Sequence, residues 1–170
     1  MSLRTTLFSV GLACAATLAL AQSPSAPLTI VVPYPAGGPL DISARIVADG
    51  ATGLGSITVE NKPGASGSTG ADLVAKAPKT ANMVLMGAVA THAVNPWLYK
   101  SIPYNALKDF KPIALVARTP NVLVVNAEQA GKLGIKTTTD LVAHLKKNPD
   151  QLKYGSGGNG SIGHISAEMF

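Results

Sequence analysis

Two glycine-rich stretches contain the residue types best suited to binding an anionic ligand. Residues 34–41 read Tyr-Pro-Ala-Gly-Gly-Pro-Leu-Asp, and residues 155–161 read Gly-Ser-Gly-Gly-Asn-Gly-Ser. Each stretch is predicted to join a strand to the start of a helix. The first N–H groups of a helix have no partners within it and lie at the positive end of its dipole, so both loops suit an anion. Two such loops suggest a ligand held between two lobes.

Glycine-rich loops are also ordinary turn devices, and this alternative stays open for either loop taken alone. The placement of the two loops favours binding, because open α/β sheets bind ligands at the edge where strands lead into helices. A polar residue stands at each helix start, Asp41 after the first loop and Ser161 after the second. Asp41 would repel an anion, so we expect it to cap the helix, to accept hydrogen bonds from the loop's own amides or to orient a water.

No set of residues predicts catalysis. The three histidines are not at metal-ligand spacings. His144 is expected at the surface or in packing within a helix, whereas His92 and His164 follow strand-end loops and could each face a cleft. The sequence contains no G-x-S-x-G nucleophile elbow and no Walker lysine, and the first loop lacks the G-x-G-x-x-G spacing. We therefore predict no catalytic residue, no metal ligand and no cofactor.

Apolar runs alternate with helical patterns along the chain, and these elements must position the two loops. Strands are predicted at residues 28–32, 56–61, 83–87 and 152–154. Helices are predicted at residues 39–49, 68–76 and 139–147, from residue 162 onward, and as a short helix or turn at 94–99. Two further apolar runs, 113–117 and 122–125, are separated by Thr119-Pro120-Asn121, a possible crossover between lobes. The alternation predicts a parallel sheet in an α/β fold.

The amino-terminus has the pattern of a secretory signal. Arg4 precedes an uncharged apolar run over residues 7–20, and Ala19-Leu20-Ala21 is a small-x-small cleavage site. The run is shorter than the ~20 residues that a membrane span needs. Cleavage after residue 21 would leave residues 22–27 as a flexible leader and would remove Cys14, the one cysteine of the chain. A mature chain without thiols is compatible with a bacterial periplasm.

The charge and the aromatic content of the chain favour an ordinary solvated surface over nucleic-acid binding, so we predict no nucleic-acid partner. The 170 residues carry 14 Lys and Arg against nine Asp and Glu, and the lysines are scattered. Aromatic residues that could stack on bases make up 5% of the chain. A weakly positive surface would nonetheless help to attract an anionic ligand.

A series of motifs, taken in order, resembles the Bug family of periplasmic solute-binding proteins, the TctC-type receptors of tripartite tricarboxylate transporters. The motifs are the two glycine-rich loops together with Val-Glu-Asn-Lys-Pro-Gly at 59–64, Thr-His-Ala-Val-Asn-Pro at 91–96, Asp-Phe-Lys-Pro-Ile-Ala at 109–114 and Asn-Val-Leu-Val-Val-Asn at 121–126. The resemblance covers essentially the whole predicted mature chain. It implies a periplasmic-binding-protein-like, two-lobed Venus flytrap of the α/β class that captures a small carboxylate in the periplasm. The resemblance also implies that the protein is a monomer and that its partner is a membrane permease.

The resemblance also implies which residues face the ligand. The first loop would contribute from one lobe, the second loop and His164 from the other, and Thr91 and His92 from a third strand-end loop. Arg45 lies one turn inside its helix and is expected to be structural. The implied ligand-binding residues are Tyr34, Pro35, Ala36, Gly37, Gly38, Asp41, Thr91, His92, Ser156, Gly158, Asn159, Ser161 and His164.

The chain departs from the family in length, because members of the family have a second half that completes lobe two. We therefore expect a truncated protein. Residues 28–118 would form most of lobe one, and residues 119–170 would form the start of an incomplete lobe two. One alternative is that the chain is a non-functional, truncated remnant of such a receptor. An exported α/β hydrolase is less favoured, because no nucleophile–base pair is visible.

Overall fold

A parallel three-stranded sheet organises the protein. The computed structural model describes residues 27–170, so the predicted signal segment 1–21 and all but the last residue of the predicted leader lie outside the described residues. The strands are β1 (Leu28–Val32), β2 (Ile57–Asn61) and β3 (Met83–Leu85), in the order β2-β1-β3. These strands confirm three of the predicted strands to within two residues at each end. The mixed α/β class predicted from the alternating pattern is also confirmed.

The central strand β1 is apolar except for Thr29, and both faces of its carboxyl-terminal half are covered. Ile30 and Val32 pack with Ala44 on one face. Alternation along a strand places Val31 and Pro33 on the other face, and both are buried. A strand segment covered on both faces is expected to read as a continuous hydrophobic run, as residues 30–33 do.

The strand register brings three connections to one edge of the sheet. Val32 of β1 pairs with Asn61 of β2, and Val31 pairs with Leu85 of β3. The ladder continues just beyond the strand ends, where the Lys62 amide donates to the Val32 carbonyl and the Met86 amide to the Val31 carbonyl. The chain therefore leaves all three strands side by side, and the first glycine-rich loop follows the central one.

Six α-helices occur in the described part of the chain: α1 (Pro39–Gly50), α2 (Ser68–Ala75), α3 (Asn95–Leu98), α4 (Ala127–Lys132), α5 (Thr138–Lys147) and α6 (Ile162–Met169). A 3-10 turn (Ala65–Gly67) precedes α2, and a π-helical turn (Ala90–Val94) precedes α3. Pro39 occupies the first turn of α1, where its missing N–H costs nothing. Thr137 and Asp140 form a capping box at the start of α5. The predicted helices are confirmed, and α4 was not predicted.

The predicted strand at residues 152–154 is wrong. These residues have no regular secondary structure, because no strand among residues 27–170 runs beside them to supply a hydrogen-bonded ladder. The apolar runs 113–117 and 122–125 are also irregular, and Leu115 is 73% exposed. Neither run pairs with the described sheet. Across residues 27–170, no helix has the length and apolar character needed to cross a bilayer.

Candidate functional site

A cavity of about 980 Å³ lies at the carboxyl edge of the sheet, between the two glycine-rich loops. Its lining comes from four stretches: the first loop with Ser43, the connection after β3, the irregular segment 114–121, and the second loop with the start of α6. The lining residues are 34–40, Ser43, 85–90, His92, 114–117, Thr119, Asn121, Gly157 and 161–163. The volume is at the upper end of the range for small-molecule sites.

The lining of the cavity contains no lysine, arginine, aspartate or glutamate. Its polar side chains are hydroxyls, one amide and one imidazole, and the remainder is apolar or glycine. An anion in this cavity would therefore be held by neutral donors, namely backbone N–H groups and hydroxyls. No group of three or more His, Cys, Asp or Glu that could hold a metal ion occurs within residues 27–170.

The first loop is shaped by Asp41, whose carboxylate belongs to the loop itself. The Gly37 amide, on a backbone with φ of +80°, donates to Asp41 Oδ2 at 2.8 Å. Arg45 Nε donates to the same oxygen at 3.0 Å, and Asn61 Nδ2 donates to Oδ1 at 2.9 Å. These bonds, with that from Arg45 contributing most, lower the pKa of the Asp41 carboxyl to about 2. Asp41 is 3% exposed and does not line the cavity.

Gly38 is the cap of α1, and its conformation leaves the loop open towards the cavity. Its φ of −79° and ψ of 169° are extended values that any residue adopts. A Cβ at this position would meet only the Pro35 carbonyl oxygen, at 3.5 Å. Because Pro39 has no N–H and the Gly37 amide is bound to Asp41, the donors left to a ligand are the Gly38 amide and the first-turn amides of α1.

His92 lines the cavity with its imidazole half-buried. Burial is the main cause that lowers the pKa of His92 below its ordinary value of 6.5. Its Nδ1 lies 2.8 Å from Thr91 Oγ1, and its ring meets the edge of Phe110 with centroids 4.9 Å apart. Thr91 is completely buried and absent from the lining. Thr91 therefore orients the imidazole without facing the cavity.

The second loop turns only part of its length towards the cavity. Ser161 caps α6 by accepting the His164 amide at 3.1 Å, and Ser161, Gly163 and Gly157 belong to the lining. The other implied ligand residues of this loop do not. They are Ser156, Gly158, Asn159 and His164. The Gly160 amide donates to His164 Nδ1 at 3.3 Å, so His164 stabilises the loop without lining the cavity.

Seven of the thirteen implied ligand residues therefore line the cavity: Tyr34, Pro35, Ala36, Gly37, Gly38, His92 and Ser161. Sequence reasoning did not assign Ser43, Met86, the stretch 114–117, Thr119 or Asn121 to the site. The possible crossover at residues 119–121 was the available signal for the last two. The others carry no motif that marks a ligand residue, since their place depends on how the chain folds back over the sheet edge.

The fold and the cavity define this chain as part of an α/β ligand-binding protein, and comparisons with known proteins identify which kind. The family profile described as the tripartite tricarboxylate transporter family receptor, TctC, matches residues 43–170. The chain therefore belongs to this receptor family, and the predicted resemblance is confirmed. The family is one of solute-binding receptors rather than enzymes, so the expectation of a non-enzymatic protein is also confirmed.

Individual relatives agree with the family assignment. Protein BugT of Bordetella pertussis is 34% identical over 150 residues, which cover 86% of this chain and 45% of BugT. The structure of Rpa4515 of R. palustris with adipate superposes with a TM-score of 0.78 at 33% identity, covering 87% of this chain and 49% of that one. The periplasmic binding protein BugD superposes with a TM-score of 0.64 at 29% identity, covering 86% of this chain and 48% of that one.

The TM-scores and sequence identities to these two structures confirm the periplasmic-binding-protein fold class. The chain spans about half the length of the relatives that it matches. The structural coverage is consistent with one lobe of such a protein.

Proposed function

We propose that this chain is the ligand-capturing part of an exported, periplasmic receptor for a small carboxylate. The observation that carries the proposal is the uncharged cavity between the two glycine-rich loops. The family assignment supports it, as does the presence of adipate in the structure of the relative Rpa4515.

The proposed binding mode uses neutral donors from both sides of the cavity. The Gly38 amide and the first turn of α1 would donate to one carboxylate oxygen, and the Ser161 hydroxyl with the first turn of α6 would donate to the other. Each charge-assisted bond would contribute about 1.5–3 kcal/mol. The positive ends of both helices would add to the attraction. The excess of Lys and Arg over Asp and Glu would help to draw anions to the protein.

The carbon skeleton of the ligand would lie against the apolar part of the lining. Met86, Leu115, Val116 and Ile162 provide this surface. Apolar contact of this kind selects for length and shape, whereas the loop amides select for the carboxylate. We therefore propose small organic acids as the ligand class.

The remaining parts of the proposal concern the context of the protein. Residues 1–21 would direct export, residues 28–118 would belong to lobe one, and residues 119–170 would begin lobe two. The liganded receptor would be a monomer that presents its closed surface to a membrane permease.

Titration calorimetry with adipate tests the proposal. Gly38→Val puts a branched side chain beside the Gly38 amide, with the nearest atom to its Cβ at 3.5 Å, so the fold is retained. We expect affinity to fall at least tenfold, or about 1.4 kcal/mol. Gly131→Val, in the open space around α4, is the control and should bind as the unchanged chain does. Equal affinity for both variants would contradict the proposed role of the first loop.

A further inference from the structure

A bridge of polar groups joins the two glycine-rich loops, and Tyr34 is the one member of it that also lines the cavity. The Tyr34 hydroxyl of the first loop donates to the Ser66 carbonyl at 3.3 Å. The Ser66 hydroxyl donates to the Asn159 carbonyl of the second loop and lies 3.1 Å from the Tyr99 hydroxyl, which donates to the same carbonyl at 3.1 Å. Ser66 therefore contacts both loops. We call this group, formed by Tyr34, Ser66, Tyr99 and Asn159, the Ser66 bridge.

The backbone at Ser66 is held in a conformation that serine rarely adopts. Ser66 has a φ of 52°, and its neighbour Ala65 has a φ of 45°. Such left-handed residues persist only where their surroundings fix them, and they concentrate at functional sites. Here the fully buried Asn95 does so, because its Nδ2 donates to the Ser66 carbonyl at 3.0 Å and to Ser68 Oγ at 3.1 Å. The resulting turn directs the Ser66 hydroxyl at the second loop.

The second loop is also packed closely against α3 next to the Ser66 bridge. Gly160 is buried with a φ of +82°, and a Cβ there would lie 2.8 Å from Leu98 Cδ2 and 3.4 Å from Asn95 Oδ1. Ser161, the next residue, lines the cavity and caps α6. The position of the Asn159 carbonyl therefore fixes where the Ser161 hydroxyl and the α6 amides lie relative to the first loop.

We propose that Ser66 and Tyr99 are positioning residues that hold the second glycine-rich loop at the cavity, although neither side chain lines it. The inference rests on the proposed function, because the ligand is the carboxylate proposed there. Loss of either hydroxyl would let the second loop move away from the first, and a carboxylate would then meet one set of donors instead of two.

The first test distinguishes the effect of losing the Ser66 hydroxyl from the effect of relieving the left-handed backbone at this turn. Ser66→Gly removes the hydroxyl and relieves a left-handed residue, whereas the matched control Ala65→Gly relieves the same kind of strain and keeps the hydroxyl. We expect neither variant to lower Tm. Adipate affinity, measured by calorimetry, should fall about threefold to tenfold in Ser66→Gly and Tyr99→Phe, as for one lost hydrogen bond. It should stay unchanged in Ala65→Gly. A Ser66→Gly variant that binds as tightly as Ala65→Gly would overturn the inference.

The second test needs no ligand. In the full chain, the Gly160 amide donates to His164 and the Ser161 amide to the Gly158 carbonyl at 3.0 Å. NMR-detected hydrogen exchange of these two amides should accelerate about threefold or more in Ser66→Gly and Tyr99→Phe, and not in Ala65→Gly. Unchanged exchange in the first two variants would refute the positioning role. Accelerated exchange together with no adipate binding by the unchanged chain would refute the proposed function and leave the positioning role intact.

Discussion

Single residues around the cavity divide between neutral groups that line it and charged groups that are paired outside it. Asp41 and Arg45 are the closest example, since they form an ion pair at 2.9 Å and both also bond Asn61. The Asp41 carboxylate also accepts a hydrogen bond from the Gly37 amide, so its negative charge does not face the cavity. The polarity of the cavity then comes from amides, hydroxyls and the imidazole of His92.

The Asp41 network predicts a pH-dependent stability. Because the pKa of Asp41 is lowered from 3.8 to about 2 in the folded protein, its contribution is fully present above pH 3.8 and is lost as pH falls towards 2. Asp41→Asn should lower Tm by several degrees at pH 7, and the difference from the unchanged chain should shrink between pH 4 and pH 2. Thermal melts followed by circular dichroism over this range provide the measurement.

Glu128→Gln is the matched control, because the ion pair of Glu128 with Lys132 is exposed. Exposed pairs contribute roughly 0–1 kcal/mol, so this variant should melt close to the unchanged chain at every pH. A Tm difference for Asp41→Asn that stays constant down to pH 2 would contradict the assigned role of the carboxylate.

At the scale of elements, the close approach of α2 to the end of β1 fixes the path into the first loop. Gly70 of α2 faces Pro33, the residue that follows β1. A Cβ on Gly70 would lie 2.8 Å from Pro33 Cβ, 2.9 Å from Pro33 Cα and 3.0 Å from the Lys62 carbonyl oxygen. Two of these atoms belong to the backbone and cannot move aside as a side-chain tip would. The glycine therefore permits the packing of this helix against the sheet edge.

Gly70→Ala should destabilise the fold by about 1–3 kcal/mol, the usual cost of overpacking. Gly50→Ala is the control, because Gly50 also lies in a helix but has open space around it. That variant should keep or slightly raise stability, since alanine is the better helix former. Urea unfolding midpoints compare the two. Equal midpoints for both variants would show that α2 does not pack against Pro33 in this way.

The sequence predicted those elements whose local pattern matches their environment. β1 is apolar apart from Thr29 because it is central. Pro39 begins α1 and Ser161 caps α6, and both are strong start signals. The short helix α4 was missed because Ala-Glu-Gln-Ala-Gly-Lys has no apolar periodicity. The strand predicted at 152–154 failed because pairing depends on a distant partner. Segment 114–117 of the cavity lining was missed for the related reason that only the folded path brings it there.

At the scale of the whole molecule, apolar surface is exposed along residues 113–125. Ile113, Val122 and Val124 are each more than three-quarters exposed. Surfaces of this kind favour association with other chains. Exposed apolar surface is also expected if the chain is a non-functional remnant. A remnant differs from a receptor in that it would lack a cooperatively folded core.

We expect the chain to unfold in a single, sharp thermal transition, because β1 and α1 form a packed core. Differential scanning calorimetry measures this, and near-ultraviolet circular dichroism should lose its signal at the same temperature. A broad transition without a heat-absorption peak would favour the remnant alternative.

An NMR titration of the 15N-labelled chain with adipate, with the uncharged diamide adipamide as the control, shows whether the two glycine-rich loops bind a carboxylate. We expect adipate to shift the amide resonances of Gly38 and Gly157 and those of Ser161 to Gly163, and adipamide to leave them in place. Shifts confined to residues outside both glycine-rich loops, equal shifts with adipamide or no shifts at saturating adipate would rule out carboxylate binding between the loops.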